Sequence, residues 1–273
     1  MAGLISTRTA ICGVILHPAG HTRSPAMHNA AFEELGIDAS YHAFDVPPDR
    51  LEAAILGMRI LGIRQLAVSI PHKLAVMALI DEVEEIARRI GAVNTITREG
   101  DRLVGTNTDW RGAIAALEEQ AGAKLSGSRA VVLGAGGAAR AAVFGLRAQG
   151  ASVVILNRTE SKAADLAASL DATSAGPLEA LADLDYDVLV NATSVGLNED
   201  VSPIPISSIR EGSIVMDAVY DPAETRLLRD AKTRGARAVP GKWWLVHQAA
   251  AQLEAWTRRQ SPTEVMATAF DSA

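Results

Sequence analysis

Residues 129–157 constrain the fold more tightly than any other stretch. Ala130-Val131-Val132-Leu133-Gly134 reads as one buried strand, and it runs directly into Gly134-Ala135-Gly136-Gly137-Ala138-Ala139. A helix-forming segment, Ala138–Gly150, comes next, followed by a second apolar run, Ser152–Asn157. Strand, glycine turn, helix and strand, in that order, form the unit with which a parallel sheet binds a dinucleotide pyrophosphate. Small residues let the backbone approach the phosphates, and the helix N-terminus presents free N–H groups and partial positive charge. A glycine pattern alone describes any tight turn; the flanking strand and helix favour the phosphate cradle, carried by Gly134, Ala135, Gly136, Gly137 and Ala138.

The end of the second strand bears on the choice of dinucleotide. An NAD site places Asp or Glu there to accept the ribose 2′-hydroxyl. This chain has Asn157-Arg158-Thr159, with Lys162 one turn later. A guanidinium with hydroxyl and ammonium donors suits a 2′-phosphate that an acid would repel. NADP is therefore expected over NAD, against the plainer reading of Arg158 as a solvated strand-end arginine.

Apolar runs alternate with helical stretches along the whole chain, which predicts an α/β protein with mostly parallel sheets. Expected strands in the first part are Ala10–Leu16, Tyr41–Val46 and Gln65–Ile70, with helices at Pro25–Leu35, Asp49–Leu61 and Asp81–Ile90. Val93–Thr97 and Arg102–Thr106 read as a hairpin, and a helix runs from Asp109 to Gln120. Later strands are expected at Asp187–Thr193, Ser213–Val219 and Ala236–Pro240, and helices at Trp243–Arg258 and Pro262–Phe270. The last of these opens with the capping pattern Ser261-Pro262-Thr263-Glu264. Without a long linker, the domain boundary is expected inside a helix or short loop near residues 108–125, giving two packed α/β lobes with a cleft between them.

Composition narrows the function. In 273 residues, 26 Lys and Arg stand against 32 Asp and Glu, a formal charge of −6 that provides no general field for nucleic acid. No apolar run reaches the ~18 residues of a membrane span. Arg8 interrupts the apolar N-terminal stretch, which reads as a lead-in to the first strand and not as a signal peptide. The single cysteine, Cys12, cannot form an internal disulfide and fits a reducing compartment. The expectation is a cytoplasmic protein, monomeric or homodimeric, acting on a small molecule. His17, His21, His28, His42, His72 and His247 show no metal-ligand spacing, so no metal site is expected.

Four polar motifs lie at expected strand ends or helix starts in the first half. They are His21-Thr22-Arg23-Ser24-Pro25, Ser69-Ile70-Pro71-His72-Lys73, Ala92-Val93-Asn94-Thr95 and Asn107-Thr108-Asp109. Their hydroxyls, amides, ammonium and carboxylate suit a small oxygen-rich anion. Each residue alone has a plainer reading: a surface lysine, a helix-start aspartate, loop hydroxyls. Together, beside a dinucleotide site, they read as an active site. Lys73, expected at the start of a helix whose dipole opposes it, has the chemistry of a group that gives and takes a proton when partly desolvated and paired with a carboxylate.

These motifs resemble the shikimate dehydrogenase family, which includes quinate/shikimate dehydrogenases. The resemblance rests on HTRSPAMHN, SIPHK, GAVNT, GTNTD, GAGGAAR, NRT, NATSVG, DAVYDP and the terminal GKWWLVHQ, in that order across nearly the whole chain. It implies reversible hydride transfer between NADPH and C3 of 3-dehydroshikimate, in aromatic amino-acid biosynthesis. It also implies a substrate lobe of residues 1–108 completed by the C-terminal helices 242–273, with a Rossmann-type NADP-binding lobe, 109–241, between them. By resemblance, Thr22 and Ser24 hold the substrate carboxylate, and Ser69, Asn94 and Gln248 bind ring hydroxyls together with Tyr220. Lys73 and Asp109 flank the reacting oxygen, and Ala218 and Gly241 line the nicotinamide end. Four positions depart from the family pattern: Thr22 replaces serine, Ala67 replaces asparagine, Trp110 replaces glycine and Trp244 replaces methionine. They leave the reaction class intact and the substrate open among shikimate, quinate and an amino analogue; a non-catalytic sensor of NADP or a pathway acid is the rival class.

Overall fold

The computed structural model describes residues 5–20 and 22–273, so His21 of the first polar motif lies outside the described residues. The chain divides into two compact units, one of residues 1–108 with 248–273 and the other of residues 109–247. The second crossing falls between His247 and Gln248, six residues beyond the expected position. It lies inside one continuous helix, Gly241–Thr257, so no loop marks it.

In the first unit, β1 (Ala10–Leu16), α1 (Ser24–Leu35), β2 (Ala39–Asp45), α2 (Leu51–Ile60) and β3 (Gln65–Val68) follow one another. Then come β4 (Glu82–Val83), α3 (Glu85–Ile90) and the hairpin β5 (Thr95–Glu99) and β6 (Arg102–Thr106). The sheet order is β2-β1-β3-β5-β6-β4. β1 runs parallel to both β2 and β3, whereas β5 is antiparallel to β3 and to β6. Two reversals bring β6 back to the direction of β3. The C-terminal ends of β1, β3 and β6 and the N-terminal end of β5 therefore share one edge, where Ser69, Asn94 and Asn107 stand. Ile15, Leu51, Ile55, Met58, Leu66, Val68, Ile96 and Leu103 form the core beneath. Each such aliphatic side chain stabilises the fold by roughly 1.5–3 kcal/mol on burial.

The second unit comprises α4 (Asp109–Ala121), β7 (Arg129–Leu133), α5 (Gly137–Ala148), β8 (Ser152–Leu156), α6 (Glu160–Ser169) and β9 (Ser174–Gly176). It continues through β10 (Val188–Asn191), β11 (Ile214–Asp217), α7 (Arg226–Thr233), β12 (Arg237–Val239) and the start of α8 (Gly241–Thr257). α9 (Thr263–Asp271) returns to the first unit and packs on α1. The sheet β12-β11-β10-β7-β8-β9 is parallel throughout. Counted within the unit, this is the doubly wound order 3-2-1-4-5-6, which puts the ligand-binding switch point between β7 and β10. β7, β10 and β11 are runs of Val, Leu and Ile buried on both faces, the composition a helix-covered parallel sheet demands.

Three local expectations are corrected. The helix expected at Asp81–Ile90 starts only at Glu85, because Glu82–Val83 pairs with Val104–Gly105. The Asp81 carboxylate accepts from the Leu103 N–H at 2.7 Å and from Arg59 at 2.7 Å, so sheet pairing overrides helix propensity there. The capping pattern before α9 does not form. Ser261 turns its hydroxyl to the Met266 sulfur at 3.1 Å, and Pro262 occupies the N-cap without a side-chain bond. Lys73 does not open an α-helix. It lies in a turn before a short 3₁₀ segment, Ala75–Ala78, and its carbonyl accepts from the Val93 N–H at 2.8 Å, a partner from another segment.

Candidate active site

The edge of the first sheet carries a connected polar network. Asn94, 1 % exposed, donates through Nδ2 to Thr108 Oγ1 at 3.0 Å and to Gln248 Oε1 at 3.2 Å. Its Oδ1 accepts from the Thr108 N–H and the Thr95 hydroxyl, each at 2.8 Å. The Thr108 hydroxyl donates to the Gln248 carbonyl at 3.0 Å. Gln252 donates to the Asn94 carbonyl at 3.2 Å, and Gln65 donates to the Gln252 carbonyl at 2.9 Å. Asn94 and Gln248, 154 residues apart, thus meet in one network. Thr108 and Gln252 were not singled out from the sequence. GTNTD contained Thr108, whereas a glutamine inside a helical run carries no signal.

Ser69 and Lys73 belong to the turn that leaves β3, and both are half-buried. His72 anchors this turn. It is 1 % exposed, and its ring Nε2 lies 2.7 Å from the Val46 carbonyl; since that oxygen only accepts, Nε2 carries the proton. Main-chain bonds from Ser69 N to Ile15 O and from Val93 N to Lys73 O hold both ends. At the start of α1 the Thr22 and Ser24 hydroxyls lie 3.3 Å apart. Arg23 between them is committed elsewhere: its guanidinium donates to the Phe270 carbonyl at 3.0 Å and lies over that ring at 4.8 Å.

In the second unit, Gly134 has φ +113°, a conformation that side chains rarely adopt, and a Cβ there would sit 3.1 Å from the Ala192 carbonyl. That places the glycine turn at the switch point. Gly136 caps α5, whose first turn contains no acidic residue. Its free N–H groups and dipole fit a pyrophosphate. Past β8, Asn157 donates to the Thr159 carbonyl at 2.9 Å, and Arg158, Thr159 and Lys162 are exposed. A 2′-phosphate fits this donor set. Gly241 approaches the segment after β11 so closely that a Cβ would lie 2.8 Å from the Ala218 carbonyl and 2.5 Å from that of Val219. Ala218 and Gly241 thereby come together, and Tyr220 follows on the same segment. Asp109, 5 % exposed, is the first residue of α4.

A second buried network escaped the sequence reading. Asp217 ends β11 and is fully buried; Asn191, ending the adjacent β10, donates to its Oδ1 at 2.8 Å. Val219 N–H also reaches Oδ1, at 3.0 Å, and the Thr225 hydroxyl reaches Oδ2 at 2.7 Å. Asn191 Oδ1 in turn accepts from Thr193 Oγ1 at 2.7 Å, so one network shapes both loops at this edge. Burial pushes the Asp217 carboxyl up to about 6 from 3.8, against the lowering effect of its three donors. The folded state then keeps this proton to higher pH than the unfolded chain. The group's contribution falls as pH rises from about 4 to 6, by about 3 kcal/mol. Asp217→Asn keeps Oδ1 and turns an amide donor toward Thr225, so it removes this dependence. Denaturant midpoints of the wild-type protein minus those of D217N are expected to decline over that pH range; a flat difference excludes the shift.

The departures Trp110 and Trp244 both pack within the second unit. Trp110 packs T-shaped with Phe144, ring centroids 5.7 Å apart at 78°, under the Arg111 guanidinium at 5.4 Å. Trp244 donates its indole N–H to the Asp109 carbonyl at 2.9 Å. Among the described residues there is no group of His, Cys, Asp or Glu able to hold a metal, and no helix is long and apolar enough to cross a membrane.

Comparison with known proteins covers both units. Residues 14–96 match the family model for the shikimate dehydrogenase substrate binding domain, and residues 116–198 match that for shikimate / quinate 5-dehydrogenase. A shikimate dehydrogenase (NADP(+)) of Symbiobacterium thermophilum is 46 % identical, over 95 % of this chain and 92 % of that protein. One from Methanopyrus kandleri is also 46 % identical, over 96 % and 95 %. The crystal structure of shikimate 5-dehydrogenase from Thermus thermophilus, in complex with NADP(H) and shikimate, superposes with a TM-score of 0.90 at 39 % identity, covering 96 % of this chain and 99 % of that one.

Proposed function

The chain belongs to the shikimate dehydrogenase family, and from that premise we propose how its own residues carry out the NADP-dependent interconversion of 3-dehydroshikimate and shikimate. The observation that carries the reading is the polar edge of the first sheet, where Asn94, Thr108 and Gln248 interlock beside the Lys73 turn. It is a small site rich in neutral hydrogen-bonding groups, suited to a polyhydroxylated ring. Thr22 and Ser24 donate to the ring's carboxylate, and Ser69, Asn94, Tyr220 and Gln248 hold its hydroxyls. Free thiol Cys12, buried on β1, fits residence in the cytoplasm.

Bound NADPH supplies the hydride that reaches C3. Gly134 to Ala138 hold its pyrophosphate, Asn157, Arg158, Thr159 and Lys162 its adenosine 2′-phosphate, and Ala218 and Gly241 the nicotinamide end. As the C3 carbonyl gains electrons, the Lys73 ammonium stabilises the oxygen and gives it a proton, completing the hydroxyl. Lys73 then regains a proton from solvent. Asp109 accepts a hydrogen bond from the nascent hydroxyl and orients Lys73. In the reverse direction, Lys73 takes the hydroxyl proton.

Initial rates with shikimate and with quinate, each paired with NADP and with NAD, test the reading through absorbance of the reduced nicotinamide. Shikimate with NADP is expected to give the highest kcat/KM by at least ~10-fold. Preference for quinate moves the substrate assignment, and the absence of turnover with any pair overturns the enzymatic reading.

A further inference from the structure

The two tryptophans that depart from the family pattern bracket the first turn of α4. Trp244 is 4 % exposed, and its indole N–H donates to the main-chain carbonyl of Asp109 at 2.9 Å. In an α-helix that oxygen also takes the N–H four residues on, and a carbonyl has two lone pairs, so it can serve both. A first helical turn otherwise rests on few bonds, because its N–H groups have no partners within the helix. The start of α8 is itself fixed, since Gly241 lies against the carbonyls of Asp217, Ala218 and Val219 with no room for a Cβ. On another side, Trp110 packs T-shaped with Phe144 of α5. There α5 closes on α4 at Gly145, where a Cβ would stand 3.0 Å from Ile114 Cγ1 and 3.2 Å from the Trp110 carbonyl. The start of α4 is thus held by α5 on one side and, through Trp244, by the first turn of α8 on another, by residues that all belong to the second unit.

We propose that Trp244 is a positioning residue for the reaction. Its indole N–H holds the main chain of Asp109, so that the carboxylate meets the reacting oxygen already oriented. Fixing a reacting group beforehand removes the entropy of orienting it from the barrier. The proposal rests on the assignment of Asp109 to the catalytic pair. Bulk alone does not perform this role. Phenylalanine fills most of the indole's space but carries no donor, and the Asp109 carbonyl then loses the indole hydrogen bond.

A double-mutant cycle in the full chain tests it, using W244F, D109N and the two combined. W244F is expected to lower kcat with shikimate ~5- to 10-fold, the loss of one buried hydrogen bond expressed as rate. The KM values for shikimate and NADP should stay within about twofold. In the D109N background, where no carboxylate remains to be placed, W244F should change kcat by less than about twofold. Equal fractional losses in both backgrounds, or an unchanged kcat for W244F, overturn the proposal while leaving Asp109 its role. A wild-type kcat in D109N removes the Asp109 assignment and the proposal with it. Should W244F fail to fold, as judged by thermal unfolding and NADP affinity, Trp244→Met enters the same cycle. It too removes the donor but fills the space with a flexible apolar chain.

Discussion

Lys73→Ala is expected to lower kcat for shikimate oxidation by ~10²-fold or more, with the KM for NADP unchanged and that for shikimate raised by less than about tenfold. Two effects disappear together: the proton transfer to and from the C3 oxygen, and the positive charge that stabilises that oxygen as it becomes negative. Positioned general acids contribute typically ~10²- to 10⁴-fold, and a donor aimed at a developing oxyanion ~10²- to 10³-fold. One ammonium performing both jobs loses at least the smaller of these. The fold should survive. The turn that carries Lys73 is held by buried His72 on the Val46 carbonyl and by the main-chain bond from Val93 N to Lys73 O, and alanine disturbs neither. Unchanged turnover would remove Lys73 from the chemistry. A large rise in KM at constant kcat would make it a binding residue only.

Arg158→Asp is expected to weaken NADP binding by ~10²-fold or more while leaving NAD affinity within a few-fold. A charge-assisted hydrogen bond is worth ~1.5–3 kcal/mol, and the aspartate adds repulsion toward the 2′-phosphate. NAD has only a hydroxyl there, which a carboxylate accepts. Arg158 is exposed beyond the end of β8, so the substitution leaves the core untouched. The effect should shrink in high salt, since an exposed charge is screened. Affinities from nucleotide titrations at two ionic strengths measure it. Equal weakening of both dinucleotides would show that Arg158 supports the adenosine without reading its phosphate.

The second unit was legible in its strands, its glycine turn and its doubly wound order. Gly134 to Ala138 and Asn157 to Thr159 are contiguous, and each lies at a strand end that the apolar runs mark clearly. The local signal and the chemistry therefore coincide. The first unit was legible in its motifs but not in their joining. Asn94 and Gln248 carry no mutual mark in the chain, and their 3.2 Å bond exists only because α8 is brought against the β5 edge. Asp217 and Asn191 were missed for a related reason. A polar residue at the end of a buried strand resembles a strand terminator until its neighbour in the sheet is known.

Local patterning also failed where tertiary partners competed for the same backbone. Asp81–Ile90 has helical composition, yet β6 takes Glu82 and Val83 into the sheet. Lys73 followed a proline in what reads as a helix start, yet its carbonyl bonds to Val93. The sequence by itself determined the class of fold, the glycine cradle, the cationic end of β8 and the inventory of polar groups, because these depend on residues adjacent in the chain. Only the tertiary structure decided which polar groups interlock, where the chain crosses back within α8, and that Trp244 holds the main chain of Asp109. Those depend on long-range hydrogen bonds and close packing, whose partners no short stretch of sequence contains.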